Sequence, residues 1–110
     1  MYGPHLLGFW HQSLLGKPCW LYLFENQKRC SWHYHKLKDE VFFVQSGKIK
    51  LFHGWEDDIE HAHITILERG DKFHVYRGLR HQMFAIEDSD LFEFSTQHFD
   101  SDSNRIQPGD

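Results

Sequence analysis

The sequence predicts an all-β chain, a sandwich or small barrel of short strands. Three observations carry this. Short apolar and aromatic runs recur along the 110 residues. Gly, Ser, Asn and Asp clusters part them at regular spacing. No segment shows the period of an amphipathic helix. Trp20–Phe24 is aromatic and apolar, which favours a strand. Cys30–His35 alternates. Glu40–Gln45 is a near-continuous apolar run closed by Ser46-Gly47, and Lys48–His53 alternates up to Gly54. Trp55–Asp58 reads as a loop. His61–Leu67 is a further strand, closed by Gly70-Asp71. His81–Ile86 and Leu91–Thr96 follow, parted by the turn-like Glu87–Asp90. Residues 1–18 carry Gly and Pro and are expected to wrap the barrel as an arm with a short strand. Residues 100–110 form a polar tail that is expected to fray, with Arg105 and Ile106 available to dock.

Bulk properties narrow the function. A chain of 110 residues suits one domain, 1–110. With 40% hydrophobic and 16% aromatic residues it can bury a core. The net charge is −4 and the Lys and Arg residues are scattered, which argues against nucleic acid as a partner. No run approaches the length of a membrane span, and Met1–His5 lacks the order of a signal peptide. Two cysteines, Cys19 and Cys30, make no disulfide framework, so a cytoplasmic setting is expected. The ten histidines are the outlying feature.

Four residues point to a divalent metal. His33 and His35 lie two apart on a strand, so they face the same way. A turn over Lys36–Asp39 returns the chain so that Glu40 can face the same point. His81 opens a strand on which His81, Met83 and Ala85 share a face, placing a ligand in an apolar lining. Imidazoles and a carboxylate converging on one point make a site for Mn, Fe, Zn, Ni or Co. By the same alternation Cys30, Trp32 and Tyr34 point away, and Cys30 is a packing residue. The chain also contains a decoy, His61-Ala62-His63. Ala62, Ile64 and Ile66 share the opposite face and are expected to turn inward, leaving His61 and His63 to solvent. His53, His74 and His98 read as structural.

These residues resemble the two motifs of the cupin superfamily. His33-x-His35, four residues, Glu40, six residues and Gly47 match the first. Gly70, seven residues, Gly78, two residues and His81 match the second. Gln27, Tyr76 and Ala85 stand where the family pattern has glycine, proline and asparagine. The resemblance implies a jelly-roll β-barrel whose metal is held by His33, His35, Glu40 and His81. Cys30–His35, Lys38–Glu40 and the ending Glu93–Thr96, Asp102, Arg105 also resemble cupins that act on sugars, such as type II mannose-6-phosphate isomerases and sugar ketoisomerases.

Three functions fit these residues. One is a sugar or sugar-phosphate isomerase or epimerase, in which the metal acts as a Lewis acid during proton transfer. A base is then needed, and Glu93 is the candidate. It lies between Phe92 and Phe94, and either the carboxylate or the two rings face inward. Lys38, Tyr76, Arg80 and Gln82 are candidate substrate contacts, with Lys36 and Arg77 also available to a phosphate. The second function is an iron-dependent dioxygenase. The third is a non-catalytic module that binds a saccharide or other small molecule. Barrels of this kind leave sheet edges and faces that pair with a second copy. A homodimer is therefore expected, with Trp10, Trp20 and Trp55 at its interface.

Overall fold

In a computed structural model the described residues are 6–12, 18–96 and 100–110, with side chains for 19–96 and 101–110. Ten strands form two antiparallel five-stranded sheets. The strands are β1 (Leu6–Gln12), β2 (Pro18–Phe24), β3 (Trp32–Tyr34), β4 (Glu40–Ser46), β5 (Lys48–Gly54), β6 (His63–Glu68), β7 (Lys72–Val75), β8 (Arg80–Ala85), β9 (Ser89–Ser95) and β10 (Asn104–Gln107). One sheet runs β1-β2-β9-β4-β7 and the other β10-β3-β8-β5-β6. Their inner faces meet in a core that includes Tyr22, Phe24, Phe42, Val44, Ile49, Leu51, Met83 and Leu91. The arrangement is all-β, as the alternation predicts, and of the jelly-roll type that the resemblance implies. No helix among the described residues is long and apolar enough to cross a membrane.

Two turns show why the chain bends where it does. Gly47 joins β4 to β5 at φ 90°, and a Cβ there would collide with the Asp88 carbonyl and Ser89. Gln27, where the family pattern has glycine, adopts φ 65° all the same. That conformation costs a side-chain-bearing residue roughly 1–2 kcal/mol. Here the Gln27 backbone N–H donates to the Ala85 carbonyl at 2.7 Å, and its amide Nε2 donates to the Ile86 carbonyl at 3.1 Å.

Four expectations are corrected. Asp102–Asp110 does not fray. β10 pairs with β3, supplying partners to what would be a free strand edge, and the Arg29 side chain meets the Asp110 carboxylate at 3.3 Å. Cys30 faces inward. Three residues separate Arg29 from His33 but only two separate their partners Phe84 and His81, so a bulge reverses the alternation between Cys30 and His33. Cys30 is a packing residue nonetheless, fully buried in the core, and burial pushes its thiol up to about 12. Ile64 and Ile66 of β6 do not turn inward as expected: they are exposed, and Leu67 reaches the core from the face shared with Thr65 and His63, which pair with Leu51 and His53, while His61 and His63 are exposed as expected. Trp20 packs against the core, leaving Trp55 as the exposed indole of the two. The Trp10 side chain and His98 lie outside the described residues.

Candidate metal centre

Both sheets contribute side chains to a buried polar cluster. His33 on β3 and His81 on β8 are directly paired, and His35 follows β3. Glu40 opens β4 in the facing sheet. All four are buried. Each histidine offers a ring nitrogen within 4.8 Å of those of the other two. Glu40 Oε1 lies 3.0 Å from His35 Nε2 and 3.2 Å from His81 Nε2.

The far nitrogens determine what these rings can do. His33 Nδ1 sits 2.8 Å from the Ser31 carbonyl, His81 Nδ1 2.9 Å from that of Leu79, and His35 Nδ1 3.1 Å from that of Asp102. A carbonyl only accepts, so each Nδ1 carries a proton, which leaves Nε2 as the nitrogen free to act as a ligand. Burial holds His33 well below the ordinary imidazole range, and the charges of His81 and His35 lower it further. Burial also raises Glu40, but the close polar approach of Glu93, His35 and His81 outweighs this and holds its carboxyl well below the usual range.

These residues fit a divalent cation. Nε2 of His35, Nε2 of His81 and both Glu40 oxygens are buried with no aligned hydrogen bond. Where the rings are neutral, imidazole and carboxylate lone pairs facing each other at 3.0–3.2 Å repel unless a proton or a metal cation lies between them. Adjacent ligands about 2.1 Å from a six-coordinate ion would lie about 3.0 Å apart. Nitrogen and oxygen donors of this kind suit Mn, Fe, Co, Ni or Zn.

The remaining predicted residues divide. β9 turns Glu93 inward with Leu91 and Ser95, while Phe92 is half-buried and Phe94 exposed on the outer face. Lys38 is 1% exposed, and its Nζ lies 3.5 Å from Glu93 Oε2 and 3.6 Å from Glu40 Oε2. Lys38 and Glu93 therefore join the buried cluster. Gln82 does not. It neighbours His81 on the opposite face of β8, and its Nε2 donates to the Cys30 carbonyl at 3.0 Å. Arg80 turns outward over the Tyr34 ring and binds Asp57 at 2.9 Å. Tyr76 is exposed and stacks on His74 at 3.9 Å between ring centres. Arg77 pairs with Asp39 at 2.7 Å, and Lys36 is exposed.

Sequence reasoning missed two parts of the site. Asp102 reaches His35 through a backbone carbonyl, which carries no side-chain signal. The register of β8, β5 and β6 places His81, His53 and His63 in one row on the inner face. His53 is half-buried, its Nε2 lies 2.8 Å from Thr65 Oγ1, and its ring packs on Phe73. Burial lowers its proton affinity, and the charge of His63 adds to this.

No protein-family model and no curated protein matches the chain. Solved structures do. KdgF from Halomonas sp. superposes with a TM-score of 0.75 at 18% identity, over 90% of this chain and 84% of that one. The cupin domain of Schizosaccharomyces pombe Cnp3 gives 0.71 at 14%, over 89% and 69%. A mutant of Bacillus subtilis oxalate decarboxylase OxdC gives 0.70 at 16%, over 83% of this chain but only 24% of that one. Two facing antiparallel sheets, with the motif histidines brought together between them, make this chain a protein of the cupin fold.

Proposed function

We propose that the protein binds one divalent transition metal through His33, His35, Glu40 and His81 and is a sugar or sugar-phosphate isomerase or epimerase. One observation carries the reading. A buried carboxylate that is not among the four ligands, Glu93, lies in the same buried cluster, linked to Glu40 through Lys38. When bound, the metal would supply Lewis-acid stabilisation of negative charge on a substrate oxygen. Glu93 takes the proton from the neighbouring carbon and returns it to the adjacent one. Lys38 donates toward both carboxylates and so holds Glu93 at a set position relative to Glu40. Two neighbours of the same fold carry small-molecule names, oxalate decarboxylase OxdC and a CapF solved with an inhibitor, though this chain spans only 24% and 28% of them.

The test is a panel of aldoses, ketoses and their phosphates in deuterated water with metal-loaded protein. Deuterium entering at carbon is expected for at least one of them, and none across the panel would end the isomerase reading. The same donor set also suits ferrous iron, so iron content with oxygen uptake would favour a dioxygenase instead.

We also propose a homodimer through the outer face of the β1-β2-β9-β4-β7 sheet. There Leu21, Leu23, Val41, Phe43, Phe92 and Phe94 are half-buried or exposed, so both faces of this sheet are apolar. Sedimentation at micromolar protein should give twice the monomer mass, and a monomer would refute the pairing. Cys19 and Cys30 are free and buried, in keeping with a reducing compartment such as the cytoplasm.

A further inference from the structure

The three histidines are not held alike. His33 and His81 each donate Nδ1–H to the carbonyl two residues back in the chain, at Ser31 and Leu79. His35 lies past the end of β3 and uses the Asp102 carbonyl, 67 residues further on. Asp102 does more than this. Its Oδ1 accepts the Lys36 N–H at 2.8 Å, and its Oδ2 accepts the Leu37 N–H at 3.0 Å. Those amides open the turn that carries Lys38 and leads to Glu40. Asp102 is only 4% exposed, so these charge-assisted bonds meet little competition from water.

We propose that Asp102 is the positioning residue of the metal centre. Its carbonyl fixes the tautomer and plane of His35, and its carboxylate fixes the turn that delivers Lys38 and Glu40. One residue near the end of the chain thereby aligns the ligand that closes β3 with the ligand that opens β4. The inference rests on the metal-binding reading above. A purely structural role would instead act through the docking of the whole segment, which the β10–β3 pairing and the Arg29–Asp110 contact also support.

The experiment compares Asp102→Ala, Asp102→Asn and Asp110→Ala with wild type. Co2+ affinity is measured by chelator competition, and histidine nitrogens are observed by long-range 1H–15N NMR of metal-free protein. Asp102→Ala should weaken Co2+ binding about 10–100-fold, Asp102→Asn should recover part of this through its remaining acceptor oxygen, and Asp110→Ala should stay within about twofold of wild type. Asp102→Ala keeps the backbone carbonyl but unties it from the Lys36 and Leu37 amides, so the His35 ring nitrogens alone should shift while those of His33 and His81 stay. Unchanged affinity in Asp102→Ala, an equal loss in Asp110→Ala, or equal disturbance of all three rings would overturn the proposal. A wild type that binds no Co2+ would overturn the metal reading itself. The metal-free NMR keeps that result distinct from a failure of Asp102 to orient His35.

Discussion

The chain carries the pattern His-x-His twice, and its two copies have opposite fates. In the first, His33 and His35 are buried, and both rings donate their far nitrogen to a backbone carbonyl. In the second, His61 and His63 are exposed, and His61 Nδ1 meets the Glu56 carboxylate at 2.6 Å. Glu56 raises the proton affinity of His61, by hydrogen bonding and then by charge, whereas burial lowers that of His33. A ring beside an exposed carboxylate tends to become a cation. A ring between a carbonyl and a buried cluster stays neutral and presents a lone pair. Ligand competence therefore lies in the acceptor behind each ring and the space before it, and the two-residue spacing does not supply either.

Substitution separates the pairs most sharply. His33→Ala and His81→Ala should lose stoichiometric metal after dialysis, while the double variant His61→Ala/His63→Ala retains it, as read by elemental analysis. Outer partners of a ligand are worth about 10–100-fold in affinity, so losing a ligand should exceed about 100-fold. Equal metal content in all variants would erase the distinction.

The carboxylates beside the two pairs give the next contrast. Glu93→Gln should slow deuterium exchange of a substrate by about 10²–10⁴-fold with metal content unchanged. Glu56→Gln should leave the rate alone, and an equal loss in both would remove Glu93 from the chemistry.

Acid offers a smaller effect with a definite sign. The unfolded chain takes a proton on His33 near pH 6.5, and the folded chain does not. As pH falls below 6.5 the unfolded state gains protons that the folded state refuses, so stability falls. Glu40 acts in the same direction below about 4.5, because its folded carboxyl is also held low. Thermal denaturation of metal-free protein should show Tm declining from neutral pH through both ranges, and His33→Gln should remove the first part. His61 has the opposite sign. Its raised proton affinity contributes stability below 6.5 that is lost as pH rises, and full exposure makes that contribution small.

The smallest effect is expected at the exposed pair. His61→Ala or Glu56→Ala should leave Tm at pH 7 unchanged by calorimetry, since water replaces each partner. A clear loss would show that the loop between β5 and β6 is held through this contact.

Most of the strands were legible because their alternation is local. The errors share one cause, which is that pairing partners lie far away in the chain. The β6 segment contains Ile64 and Ile66, and an isolated strand would bury them. Its register against β5 instead turns Leu67 to the core and leaves the isoleucines outside. Local alternation puts Cys30 on the wrong face because a bulge is defined by the count on the opposite strand. Glu93 stood undecided between carboxylate and rings until the outer face of its sheet, already lined by Val41 and Phe43, took Phe92 and Phe94.

By itself, the sequence determined which side chains have the chemistry of ligands. It also determined the alternation that points His33 and His35 one way and the glycines that let the hairpins close. These are properties of neighbouring residues, set by backbone sterics and side-chain type. Only the tertiary structure decided that Glu40 of one sheet faces His81 of the other, that Lys38 lies between two buried carboxylates, and that the Asp102 carbonyl orients His35. Each depends on bringing together groups far apart in sequence, and burial then gives those contacts their strength by removing the water that would compete for them.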